Sequence, residues 1–124
     1  MSLSEYFDNA EGTGVLATAD STGNVDVAIY ARPHVFDEDT VAFIMNERLS
    51  YQNVTANPKA AYLFKEDAPG YKGKRLYLTM TKEESDKEVI DQVRRRCSVK
   101  CDEGEANKHL VYFNVEKTRE LIGG

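Results

Sequence analysis

The chain has 124 residues, enough for a single domain over 1–124, and its 41% hydrophobic and 30% charged content is that of a folded globular protein rather than a disordered one. A formal net charge of −5 argues against nucleic acid or an anionic membrane as partner, because both select basic surfaces, yet it leaves room for one small anionic ligand in a local pocket. No apolar run approaches the ~20 residues of a membrane span, and Met1-Ser2-Leu3-Ser4-Glu5 lacks the basic flank and apolar core of an export signal, so a reducing cytoplasm is the expected setting for Cys97 and Cys101.

Ser4 to Ala10 places Tyr6, Phe7 and Ala10 at helical spacing, with Ser4 as the expected cap and Glu11-Gly12-Thr13-Gly14 as the stop. Gly14 to Asp20 reads as a strand, with Val15, Ala17 and Ala19 on one face and Leu16 and Thr18 on the other. Asp20-Ser21-Thr22-Gly23-Asn24 is a turn. A second strand is predicted from Val25 to about Phe36, kinked, bulged or at an edge near Arg32-Pro33-His34, because Pro33 has no amide to donate. A third, Val41 to Asn46, is apolar on both faces and suits a strand packed on two sides.

The stretch Asn46 to Pro58 then carries a cation, a helix start and a stop. Ser50 has the chemistry of an N-cap, and Arg48 stands two residues upstream. First-turn amides and the positive end of the helix dipole favour an anion, and a guanidinium adds a two-pronged grip on phosphate. The plainer reading, a capped strand–helix–strand connection closed by Asn57-Pro58, stands beside it. A fourth strand covers Ala60 to Lys65, a loop runs from Glu66 to Gly73, and a fifth strand extends from about Lys74 to Thr81. Ser85-Asp86-Lys87-Glu88 matches a capping box opening a helix with Val89, Ile90, Val93 and Cys97 along one side and Arg94-Arg95-Arg96 near its negative end. Ser98 to Lys108 reads as a loop, and His109 to Val115 as the last strand.

Six strands with two or three helices that do not alternate with them predict a mainly β, α+β fold: a six-stranded antiparallel barrel with appended helices, its first three strands paired in sequence through short turns.

This order resembles the flavin-binding split barrel of the pyridoxamine 5′-phosphate oxidase-like family. The likeness rests on the hairpin Gly14 to Ala28, on Arg48-Leu49-Ser50-Tyr51-Gln52-Asn53-Val54 with Asn57-Pro58 after strand three, and on Gly70-Tyr71-Lys72-Gly73-Lys74-Arg75 at the entry to strand five. What the resemblance implies is a six-stranded split β-barrel, a homodimer with FMN in clefts at the subunit interface, and a flavin-dependent oxidoreductase of a small molecule. In that scheme Arg48, Ser50, Gln52 and Asn53 hold the phosphate. Tyr30, Ala31, Arg32 and Pro33, with Met45 and Asn46, line the ring, and Tyr71, Lys74 and Arg75 reach over from the partner. Many relatives carry Lys just before the Asn of the helix motif, where this chain has Gln52, a neutral amide.

Flavin chemistry asks little of side chains: N5 takes or gives hydride, and the protein supplies orientation and electrostatics. No catalytic residue is therefore diagnostic. Arg32 is a candidate donor to the ring's pyrimidine edge, against a surface ion pair as the alternative. His34 is a candidate proton donor, against a half-exposed loop histidine, and His109 has a weaker case. Cys97 and Cys101 are spaced C-x3-C, which is not a common zinc pattern, and two reduced thiols are the default. Two further readings stay open: a non-catalytic flavin- or haem-binding protein, and a barrel without ligand that serves as an interaction domain.

Overall fold

The structure is a computed structural model and describes residues 2–46, 48–94 and 108–123. Along the chain run α1 (Leu3–Asn9), β1 (Gly12–Ala19), β2 (Val25–Ile29), β3 (His34–Asp37), β4 (Thr40–Asn46), α2 (Leu49–Ala56), β5 (Lys59–Glu66), β6 (Gly73–Glu84), α3 (Lys87–Arg94) and β7 (Lys108–Glu120). All strand pairs are antiparallel, as predicted. Among the described residues there are seven strands rather than six, in the order β2-β1-β5-β6-β7-β4-β3, and they form a sheet that does not close. The long second strand of the sequence reading is two. Tyr30 still donates to the Gly14 carbonyl at 3.0 Å, but Ala31 and Arg32 leave the ladder and Pro33 cannot rejoin it. Its halves lie on opposite edges, so β3, not β2, is the hairpin partner of β4, and the expected sequential pairing of the first three strands fails there.

The curled sheet encloses one core, with Leu16, Val41, Phe43, Met45, Tyr62, Phe64, Leu76, Leu78, Val111 and Phe113 on its inner side. Leu3, Phe7 and Ala10 of the α1 segment and Val54 of α2 plug the ends. On the outer side, Ala42 and Leu110 pack against Ile90 and Val93 of α3. This explains why β4 is apolar on both faces: it is covered twice.

The helix starts differ from the sequence reading. Ser2, not Ser4, caps α1, accepting from the Glu5 amide at 3.1 Å while Glu5 reaches back to Ser2. In α3 the Asp86 carboxylate, not Ser85, accepts from the Glu88 amide at 2.9 Å. Ser50 is not the cap of α2; it is the second helical residue, and Arg48 takes the cap position in extended geometry. Strand β6 runs three residues beyond the predicted Thr81, and β7 five beyond the predicted Val115. Cys97, Cys101, Arg95, Arg96 and the predicted loop after them, except Lys108, lie outside the described residues. Among the described residues no helix is long and apolar enough to cross a membrane, and no three His, Cys, Asp or Glu side chains group to hold a metal ion.

Among the described residues no helix packs on one outer face. Across β2-β1-β5-β6, Ile29, Val15, Leu63 and Arg75 form one cross-strand row, and Val27, Ala17, Ala61 and Tyr77 the next. Val25, Val27 and Ile29 are 81%, 66% and 71% exposed, the opposite of what a monomeric edge strand presents.

Candidate functional site

The first turn of α2 sits at the mouth of the core beside the end of β2. Its cap residue Arg48 has φ −129° and ψ −167°, and among the described residues no side chain makes a capping hydrogen bond to the helix. The first internal bond runs from the Gln52 amide to the Arg48 carbonyl at 3.0 Å. The amides of Leu49, Ser50 and Tyr51 thus precede the first intrahelical donor, at the positive end of the helix.

Three candidates meet here. The buried Ser50 side chain and the Arg48 charge both act on the phenol of Tyr30. Burial raises the Tyr30 pKa above the usual tyrosine value; the Ser50 side chain and the Arg48 charge partly offset that. The Tyr30 ring stands edge-on to Phe43 at 5.8 Å, which anchors it to the core. One turn on, buried Asn53 donates through Nδ2 to Thr18 Oγ1 at 3.0 Å, tying α2 to β1. Gln52 lies exposed on the helix, and Asn46 is half-buried at the end of β4 opposite Lys108.

The remaining candidates are placed elsewhere within the chain. Arg32 turns away: its Nη1 donates to the carbonyls of Phe7 at 2.7 Å and Ala10 at 2.6 Å, closing the C-terminal end of α1. That is neither a surface ion pair nor a contact with the α2 turn. The Ala31 and Tyr30 carbonyls both lie 3.1 Å from the Tyr62 hydroxyl. Pro33 is buried, and Met45 points into the core with no exposed surface. Tyr71 is exposed at the β5–β6 turn. Lys74 stands over the Tyr6 ring at 4.7 Å, and Arg75 donates to the carbonyls of Glu120 at 2.9 Å and of Gly123. His34 opens β3 opposite Ala42 instead of sitting in a loop.

The sequence reading missed a polar cluster against the same turn. The Tyr51 ring stacks on His109 at 4.1 Å with an interplanar angle of 12°. The Tyr51 hydroxyl lies 2.8 and 2.9 Å from the two carboxylate oxygens of Glu83. Glu83 Oε1 lies 3.0 Å from His109 Nδ1, and Ser85 Oγ is 2.9 Å from the same nitrogen. Glu83 and Tyr51 are 32 residues apart, and no local spacing links them.

No family model matches the chain, and no curated protein matches its sequence. Solved structures do match its fold. An FMN-binding protein from Syntrophomonas wolfei superposes with a TM-score of 0.79 at 16% identity, over 95% of this chain and 82% of that one. A protein named an F420 reductase gives 0.72 at 16% identity, over 93% and 94%. A candidate pyridoxamine 5′-phosphate oxidase from Lactobacillus delbrueckii gives 0.68 at 22% identity, over 91% and 86%. At these identities the likeness establishes the split-barrel architecture.

Proposed function

We propose that this chain binds FMN and works as a flavin-dependent oxidoreductase on a small molecule, as a homodimer with the flavin at the subunit interface. The observation that carries this reading is the meeting of Arg48, Ser50 and Tyr30 at an α2 N-terminus without a side-chain cap, within a split-barrel fold whose solved examples include an FMN-binding protein. The donor set suits a phosphate: first-turn amides, a hydroxyl and a guanidinium, with no carboxylate in the described first turn.

In this reading Arg48 and the amides of Leu49, Ser50 and Tyr51 hold the phosphate, and Asn53 fixes α2 through Thr18. Gln52, exposed, offers a neutral amide and adds no charge. Tyr30 and the backbone of Ala31, held by Tyr62, border the ring. Tyr71, Lys74 and Arg75, distant from this turn within one chain, are assigned to the partner's site. Bound flavin supplies hydride exchange at N5, and the chain supplies orientation and exclusion of water.

The apolar face of β2, β1 and β5 supports the dimer. A patch of this kind is the sort that subunit interfaces cover, and a two-fold axis lets the same rows meet themselves.

Absorbance after FMN addition and gel filtration tests the reading. Wild-type protein is expected to retain a flavin band, and Arg48→Glu to lose it. No retained band at micromolar protein overturns the assignment. Retention of F420 in place of FMN reassigns the ligand, and a band that neither NADH nor NADPH bleaches favours a non-catalytic flavin protein.

A further inference from the structure

We infer that Tyr51, clamped by Glu83 and His109, is the positioning residue of the α2 first turn and sets its grip on the ligand's phosphate. The inference rests on the function proposed above and names the device that tunes that site.

The device depends on a β-bulge. In β6 and β7, Met80 faces Phe113 and Lys82 faces Tyr112, so Thr81 is an extra residue on one strand. Beyond it the alternation of β6 is reversed. Glu83 now pairs with Val111, on the inner face with Phe113, whereas uninterrupted pleating from Met80 would turn Glu83 outward. Bulges re-aim side chains in this way and recur beside functional sites. Here the side chain re-aimed is the carboxylate of Glu83, which stays exposed at the rim.

The Glu83 carboxylate remains 30% accessible, held by neighbouring side chains rather than buried. Tyr51 donates its hydroxyl to the carboxylate, and His109 Nδ1 lies 3.0 Å from Glu83 Oε1. Ser85 Oγ completes the same nitrogen's surroundings. The imidazole lies flat on the Tyr51 ring, so His109 holds Tyr51 both through its face and through Glu83. Three elements, the end of β6, the start of β7 and α2, are thereby tied at one side chain.

That side chain sits in the turn whose amides face the proposed phosphate. Tyr51 follows Ser50 directly, and His109 is the cross-strand partner of Met45 on β4, the strand that leads into α2. Orientation of hydrogen-bond donors within a fraction of an ångström governs such sites. A clamp on the side chain of Tyr51, whose own backbone amide is one of those donors, controls that orientation.

Two measurements on the full-length chain test this. The first compares FMN with riboflavin, which lacks the phosphate, in wild type, Tyr51→Phe, Glu83→Gln and His109→Phe. Tyr51→Phe keeps the stack and removes the hydroxyl; His109→Phe keeps an aromatic face and removes Nδ1. Each variant is expected to weaken FMN about fivefold or more, the scale of one hydrogen bond, and riboflavin less than about twofold. Equal loss for both ligands, or loss for neither, overturns the inference. The second reads amide hydrogen exchange of Gln52, the first internal donor of α2, without ligand. Protection is expected to fall about fivefold or more in Tyr51→Phe and Glu83→Gln. Unchanged protection overturns the inference. If wild-type protein binds neither flavin, the proposed function fails on its own, and the exchange measurement still decides whether Tyr51 sets the turn.

Discussion

At the scale of single residues, Gly14 and Tyr62 define one another. A Cβ on Gly14 would overlap the Tyr62 hydroxyl and stand 2.5 Å from the Tyr30 carbonyl oxygen. Tyr62 is fully buried and cannot swing aside. Gly14→Ala is therefore expected to destabilise the fold by about 1–3 kcal/mol, the cost of overpacking, as read from a urea midpoint. The tyrosines also predict a pH response. Burial raises the pKa of Tyr62 and Tyr30 above the ordinary tyrosine value of 10.0. Tyr6 is raised by burial first, then by its hydrogen bond to Glu66 at 2.6 Å and the charge of that carboxylate. A raised folded-state pKa contributes stability that is complete below the unfolded value and lost as pH climbs through the folded one. Base titration followed at 295 nm should therefore show these three ionising late, above pH 10.0, with loss of structure on that side. Seven tyrosines ionising together near pH 10.0 would contradict it.

At the scale of elements, α1 is held by its ends. Ser2 and Glu5 close the start, and Arg32 reaches back from the β2–β3 connection to the carbonyls of Phe7 and Ala10. Such carbonyls have no intrahelical donor, and a guanidinium satisfies two at once. Arg32→Ala is expected to cost about 1–3 kcal/mol in thermal or urea unfolding, the range for hydrogen bonds from a charged donor. Arg32→Lys should recover only part, since a single ammonium must serve both carbonyls. The same arginine explains why the second predicted strand breaks. Residues 30–33 are drawn toward α1 and Tyr62, and Pro33 removes the amide that would resume pairing.

At the scale of the whole molecule, the sheet is covered unevenly. β4 and β7 are packed on both sides, whereas β2 offers Val25, Val27 and Ile29 to solvent. A second copy of the chain covering that face is the expected state. Val27→Lys, at the middle of the apolar strand, should shift sedimentation equilibrium toward monomer and lower flavin retention with it. A variant that stays dimeric would place the interface elsewhere.

Much of the split-barrel plan was legible locally. Alternation located the strands, the two-sided apolarity of Val41 to Asn46 announced a strand covered twice, and the helix after it was found with its start two residues late. That Arg48, Ser50 and the start of α2 lie together was legible as well, because they belong to one short stretch. Long-range partners were not. Arg32 reads as a surface or ligand cation until the fold brings α1 beneath it, and Ser50 reads as a cap until the helix starts two residues earlier. Glu83, Tyr51 and His109 carry no shared spacing, and a single extra residue in β6 decides that they meet. The sequence by itself determined which segments are strands and helices, since periodicity and turn chemistry act between near neighbours. Only the tertiary structure decided the edges of the sheet, the exposed apolar face and the clamp on α2, because those depend on register between strands far apart in the chain.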